Sequence, residues 1–346
     1  MGRPAGSLIT VGIVLTLLVG CTSPQRQNPS TRIRDDLLGT VISLTVYDEL
    51  GNSILDDMTS AIERVDRLMS IHNPNSELSL ASTGTGNSIL LSPETQKTVA
   101  IAIDACAYSD GAFNPAIGSL TRLWGIGTEA ASLPARDEII RALVFTDPAG
   151  IQLESGRLIL QPGMLVDLGG IAKGYACDLA VQVLEADNAD GALLDLGGNI
   201  YAYGEKPDGT PWKIGVRSPL IGESGIIGMF ELRESISVVT SGGYERYFEQ
   251  DGVIYHHILN PATGYPADSG LLSVTVLCDN SAWADALSTA CFVLGLEKGQ
   301  ALIARIQENK PEIGLRGALF ISDDLRIHGS EPLPFHLEDN RFQVVS

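Results

Sequence analysis

Asp285 and Thr289 stand four residues apart in a run, 281–294, that reads as a helix. That spacing puts a carboxylate and a hydroxyl on one helix face. Oxygen ligands of this kind suit Mg²⁺, a hard cation that keeps several waters and binds through few carboxylates plus substrate phosphates. A polar pair on a solvated helix surface is the competing reading. His257 is the best acid or base in the chain, because an imidazole titrates near working pH; a histidine hydrogen-bonded within a core is the alternative. Lys173 follows Gly169-Gly170 at the mouth of a helix, where it can hold a phosphate or sit in solvent. Asp167 either accepts hydrogen bonds from a ligand or caps its own turn. Phe113 either lies against an aromatic ligand or packs in the core. Trp124 reads as core, and Arg217 and Arg246 are further phosphate contacts with no other support.

These residues lie on or beside glycine-rich turns. Five segments combine Gly or Pro with polar residues: 110–115 (DGAFNP), 166–175 (VDLGGIAKGY), 195–199 (DLGGN), 240–244 (TSGGY) and 257–264 (HILNPATG). One such segment is ordinarily only a turn. Five of them point to backbone N–H groups facing something anionic. DLGG lacks the GK[ST] ending of a phosphate loop, and no GxGxxG follows a strand, which argues against the common nucleotide-binding folds.

The elements that must position them alternate without an obvious linker. Apolar spacing predicts helices from Asn52 or Ser53 to about 69, from 93 to just before Asp110, over 133–143, from Gly169-Gly170 through 186, and over 281–294 and 298–306. Strands are expected over 38–47, 192–196, 212–217, 226–232, 236–240, 254–259, 271–278 and 318–321, with a hairpin over 151–160 turning at Ser155-Gly156. Long antiparallel stretches with helices between them indicate an α+β domain, not a doubly wound sheet.

Lys and Arg number 23 against 42 Asp and Glu, giving a formal charge of −19. A surface that acidic repels phosphate backbones, and no basic run with interleaved aromatics occurs, which argues against nucleic-acid binding. An anionic small substrate needs a local cation to bring it in. At the N-terminus an apolar run, 9–19, follows Arg3 and is short for a membrane span. It ends Leu18-Val19-Gly20-Cys21, which resembles a bacterial lipobox; an uncleaved anchor with an incidental Cys is the alternative. The expected organisation is a lipoprotein signal peptide over 1–20, lipidated Cys21 and a polar linker over 21–36, and a single domain over 37–346. The body is expected on the periplasmic face of a bacterial membrane, the inner one favoured. Cys106, Cys177, Cys278 and Cys291 lie in apolar patterns without CxxC spacing, so buried free thiols are expected rather than two disulfides.

Together the turn segments resemble the ApbE family of flavin transferases, also called FAD:protein FMN transferases. The family's DxGGIAKGYA-type motif is matched at 167–176 and its GAFDPxxGxLxxLWGFG-type segment at 111–127. Its HILDPxTGxP-type, ADALST-type and MSxYxPxSE-type segments are matched at 257–266, 284–289 and 69–77. The resemblance runs from about 38 to 322 in the family's order. It implies a single α+β domain with antiparallel sheet, flanking helices and FAD in a surface cleft. It also implies a Mg²⁺-dependent enzyme that cleaves FAD, attaches FMN through a phosphoester to a Thr or Ser of a target protein, and releases AMP. Some members instead hydrolyse FAD to FMN and AMP, and a lipoprotein that binds flavin without transferring it is a further possibility. The implied acceptors are flavin-bearing subunits of membrane redox complexes of the NADH:quinone reductase or Rnf type. The implied FAD contacts are Leu38, His72, Ala112, Phe113, Asn114, Asp167, Lys173, His257 and Ile258. The implied metal ligands are Asp285 and Thr289, with backbone carbonyls around Gly170, Ala172 and Ser288; His257 and Asp285 are the implied catalytic residues. Three positions depart from the pattern: His72 replaces a Tyr, and Asn114 and Asn260 replace Asp in Asp-Pro turns, where Asn supports the same geometry.

Overall fold

The structure, a computed structural model, describes residues 29–83, 88–330 and 332–345. The apolar run 9–19 and Cys21 lie outside the described residues. Nine strands form the main sheet: β1 (Ser30–Leu37), β2 (Thr40–Val46), β3 (Gly191–Leu196), β4 (Asn199–Gly204), β5 (Ile236–Gly242), β6 (Leu271–Cys278), β7 (Leu315–Ser322), β8 (Arg326–Gly329) and β9 (Gln343–Val345). They lie side by side in that order, each antiparallel to the next except β8 and β9, which are parallel.

Eight α-helices are described: α1 (Gly51–Met69), α2 (Glu77–Thr83), α3 (Pro93–Tyr108), α4 (Gly118–Trp124), α5 (Arg136–Leu143), α6 (Ala172–Ala186), α7 (Ser281–Leu294) and α8 (Leu296–Asn309). The alternation of side chains along a strand decides the layering. Val274, Val276 and Cys278 of β6 join Val239 of β5 in the large core shared with α1, α3, α6, α7 and α8. Leu277 and Val238 point the other way, into a second core with Trp212, Ile214, Phe230 and Leu232. That second core belongs to a small sheet of Trp212–Arg217, Ile226–Leu232 and Phe335–Leu337. The main sheet therefore lies between a helix layer and a second sheet, so β5 and β6 are apolar on both faces.

This is the expected α+β class, and the hairpin over 151–160 turns as expected, with Ser155 and Gly156 both at positive φ. Four differences stand out. The linker expected to run to residue 36 gives way at Ser30 to β1, whose sequence STRIRDDL has only Ile33 and Leu37 as apolar residues. Its stability comes from the backbone ladder to β2 at the sheet edge rather than from a buried face. The strand expected over 254–259 is shorter: Val253–His256 pairs with Tyr247–Gln250 as a hairpin, and the chain leaves it at His257. α1 starts at Gly51 with no side-chain cap, so neither Asn52 nor Ser53 caps it. The helix expected from 133 starts at Arg136, where the Glu138 carboxylate accepts a hydrogen bond from the Ala135 N–H. All four body cysteines are buried free thiols.

Candidate active site

The site is built where α6 meets α7. A Cβ on Gly174 would lie 2.2 Å from the Ser281 carbonyl oxygen, so only glycine lets the two helices approach this closely. The Gly174 N–H belongs to the first turn of α6, whose donors have no partner within the helix. It donates to Asp285 Oδ2 at 3.0 Å. The reverse contact also exists. Asp178 of α6 accepts from the N–H groups of Ser281 (2.7 Å) and Ala282 (3.0 Å) at the start of α7. Each helix thus receives a carboxylate at its N-terminus from the other, where the helix dipole favours an anion. Burial pushes the Asp178 carboxyl up to about 7, against the pull of its two N–H donors.

Asp285 is 2% exposed, and Lys173 Nζ lies 3.3 Å and 3.5 Å from its two oxygens. One turn on, Thr289 Oγ1 and Ser288 Oγ lie 3.3 Å and 2.8 Å from Ser241 Oγ at the end of β5. Ser288 Oγ also donates to the Asp285 carbonyl at 2.9 Å, so its hydroxyl is already engaged. Gly170 lies between two of these parts. A Cβ there would sit 3.2 Å from Phe113 Cε2 and 3.5 Å from Thr289 Oγ1. The geometry therefore brings Phe113, Gly170, Lys173, Asp285, Ser288 and Thr289 together.

Among the described residues no group of three or more His, Cys, Asp or Glu is gathered for a metal. The metal-ligating atoms that the site brings together are oxygens, the Asp285 carboxylate and the Thr289 hydroxyl one turn on. That set fits Mg²⁺, which fills the rest of its shell with water and substrate phosphate. It does not fit a soft or imidazole-seeking metal.

His257 closes a second corner. Its N–H donates to the Arg246 carbonyl at 3.0 Å, and its Nδ1 lies 3.2 Å from the same oxygen. A carbonyl only accepts, so Nδ1 carries the proton and Nε2 keeps a free lone pair. Burial, then the charges of Arg246 and Lys173, push this imidazole down to about 3, so it is neutral at pH 7. The Arg246 guanidinium reaches the Gly39 carbonyl at 2.9 Å, tying in the turn of Leu38, whose φ is 52°. The Leu38 N–H donates to Asp66 Oδ1 at 3.2 Å, and His72 is exposed.

The remaining residues hold turns. Asn114 accepts from the Ala116 N–H at 2.9 Å and donates to the Thr146 carbonyl at 2.9 Å, so its amide oxygen and one N–H are engaged locally. Asn260 accepts from the Ala262 N–H at 2.9 Å in the same way. Both preserve the turn that Asp would make. Asp167 Oδ1 accepts from the Gly169 N–H at 2.8 Å, which is the capping alternative, and its own N–H joins the Pro115 carbonyl at 2.8 Å. Phe113 is 4% exposed. Ala172 opens α6, Ala112 donates to the Ser109 carbonyl, and the Ile258 carbonyl accepts from Ala267. Trp124 is core, its Nε1 donating to the Gly264 carbonyl at 2.8 Å. No hydrogen bond among the described residues links the side chains of His72 or Asn114 to Asp285. Sequence reasoning missed Asp178 and Ser241. Ser241 stands in a recognised turn, whereas Asp178 has no local signal, because its partners lie 103 and 104 residues away.

The sequence profile of the ApbE family matches residues 38–312. The chain belongs to the ApbE family. It is 34% identical to the FAD:protein FMN transferase of Treponema pallidum (strain Nichols), covering 92% of each chain. It is 35% identical to the FAD:protein FMN transferase of Klebsiella pneumoniae (strain 342), covering 89% of this chain and 95% of that one. Among solved structures, the ApbE protein of Thermotoga maritima superimposes with a TM-score of 0.79 at 32% identity, over 88% of this chain and 97% of that one. The flavin transferase ApbE of Vibrio cholerae gives 0.74 at 27% identity, over 91% and 99%.

Proposed function

We propose that the chain is an exported FAD:protein FMN transferase that uses Mg²⁺. The observation that carries this reading is the meeting of Lys173, Asp285 and Thr289 beside the Gly170 turn, inside segments matched by the family. Phosphoryl transfer asks a protein mainly for positioning and charge neutralisation. Lys173 supplies a cation to a phosphate in a molecule of net charge −19. Neutral His257 offers Nε2 as a hydrogen-bond acceptor, held in place through Nδ1. Asp285, Thr289 and the nearby carbonyls would hold Mg²⁺, which when bound neutralises charge on the pyrophosphate oxygens as the P–O bond breaks. The FAD occupies the cleft between the 110–115, 166–175 and 257–264 turns. FMN then passes to a Thr or Ser of a flavin subunit in a membrane redox complex of the NADH:quinone reductase or Rnf type, and AMP leaves. Cys21 carries the lipid that tethers the body to the periplasmic face of the inner membrane; normal lipid labelling of Cys21→Ser would refute that part.

The test is to incubate the purified protein with FAD, Mg²⁺ and the soluble acceptor domain of such a subunit. In-gel flavin fluorescence on the acceptor is expected, with magnesium chelation abolishing it. Fluorescence absent while free FMN accumulates would make the chain an FAD hydrolase instead.

A further inference from the structure

The 240–244 turn takes no part in the reaction described above, yet its Ser241 touches α7 one turn beyond Asp285. Ser241 is buried near the end of β5, with its Oγ 2.8 Å from Ser288 Oγ and 3.3 Å from Thr289 Oγ1. Ser288 Oγ in turn lies 2.9 Å from the Asp285 carbonyl oxygen. Each hydroxyl has one proton to give, and a carbonyl oxygen only accepts. The Ser288 proton therefore goes to the Asp285 carbonyl. Ser288 Oγ must then accept from Ser241, which spends the Ser241 proton. Ser241 Oγ is left as the acceptor in its remaining contact, so Thr289 donates to it. Any other assignment leaves one of these contacts without a proton. The Thr289 proton is thereby held against β5, and the lone pairs of Oγ1 are free. Thr289 Oγ1 makes no other hydrogen bond with a described residue, and it lies 3.5 Å from where a Cβ on Gly170 would stand.

We propose that Ser241 is a positioning residue for the cation: it holds the Thr289 proton so that the Thr289 oxygen presents a lone pair to Mg²⁺. This rests on the Mg²⁺-dependent FMN-transfer reading above. A hydroxyl free to rotate spends part of its time with its proton toward the cation, where its partial positive charge repels the ion. A partner that accepts the proton removes those orientations. Groups that orient a metal ligand in this way typically contribute about 10–100-fold in metal affinity or activity. Ser288 has a different part from Thr289. Its proton is committed to its own helix, so its hydroxyl anchors Ser241 instead of meeting the ion. A link that only tied β5 to α7 would cost stability wherever it was cut, whether or not residue 289 carries a hydroxyl.

The test titrates Mn²⁺, which shares the oxygen preference of Mg²⁺, into full-length wild type, Ser241→Ala, Thr289→Val and the double variant, reading free Mn²⁺ by electron paramagnetic resonance. Urea midpoints establish that each is folded. Ser241→Ala should weaken Mn²⁺ binding by about 10–100-fold. In the Thr289→Val background the same substitution should cost nothing further, because no hydroxyl is left to orient. In FAD cleavage, read as labelled acceptor plus free FMN, Ser241→Ala should raise the Mg²⁺ concentration that gives half the full rate. Saturating Mg²⁺ should recover that rate, with FAD affinity unchanged. Wild-type Mn²⁺ affinity in Ser241→Ala, or a loss as large in the Thr289→Val background as in the parent, overturns the proposal while leaving the transferase reading intact. A wild type that binds no Mn²⁺, or that cleaves FAD equally well under chelation, overturns the Mg²⁺ site and the proposal together.

Discussion

Asp178 and Asp285 lie on neighbouring helices, and each supplies the carboxylate that satisfies the other helix's N-terminus. Asp178→Ala strands two N–H groups at the start of α7, where losing a cap costs about 1–2 kcal/mol. The urea midpoint should fall accordingly. Turnover should fall with it, because α7 also carries Asp285. A variant with an unchanged midpoint would mean that water replaces the carboxylate at no cost.

Removing Asp285 itself should affect rate before affinity. Electrostatic stabilisation of a phosphoryl group is greatest in the transition state. Asp285→Ala should lower FMN transfer by at least ~10²-fold, the scale of losing one preorganised electrostatic element. Asp285→Asn should be nearly as poor, because an amide supplies an oxygen without the charge. Single-turnover rates beside FAD titration separate the two effects, with circular dichroism to establish folding. Near wild-type rate at limiting Mg²⁺ would place the cation elsewhere.

The neutral state of His257 carries a pH signature. Its folded pKa of about 3 lies below the ordinary 6.5 for this side chain. Between those values the unfolded chain binds a proton that the folded chain does not, so stability falls as pH drops through that window and is intact above it. His257→Gln should flatten this part of the pH dependence, since Gln can donate to the Arg246 carbonyl and takes up no proton. Denaturant midpoints of both proteins at about pH 7 and about pH 4.5 measure the difference. Parallel slopes would show that His257 is solvated.

The body thiols should be silent while the protein is folded. Burial pushes Cys106 to about 11 and Cys278 to about 12, and raises Cys177 and Cys291 as well. Because the thiolate is the reactive species, a thiol reagent should modify none of the four in native Cys21→Ser protein and all four in guanidinium. Rapid native labelling at any of them would mean that its helix or strand opens locally.

What the sequence disclosed followed periodicity and spacing. α3 and α7 were legible because their apolar residues recur at helical period, and α3 opens on Ser92-Pro93, with the Ser92 side chain capping it. The Asp285 and Thr289 spacing and the position of Lys173 were readable for the same reason. β1 was hidden because an edge strand held by its ladder needs no apolar face. β4 was hidden inside what reads as a continuation of the 195–199 turn. Asp178 was invisible because its partners lie 103 and 104 residues away across the fold. A short polar residue within α6 looks like any helix-surface carboxylate until α7 is packed against it. The His256 and His257 pair illustrates the limit of alternation. The strand ends between them, so the turn, and not the pleat, sets where His257 points.

The sheet order has a consequence for fragments of this protein. Lys173 meets Asp285 across 112 residues, Ser241 meets Ser288 across 47, and Arg246 meets Gly39 across 207. Gly39 and Arg246 lie too far apart for any contiguous half of the chain to hold both, so a fragment of that length loses part of the arrangement. Contacts of such separation form late and slowly when a chain folds. Ligand occupancy then becomes a gauge of completed folding: a molecule that binds only the assembled arrangement stabilises the whole cooperative unit, by about 2.7 kcal/mol at a hundredfold excess over its Kd.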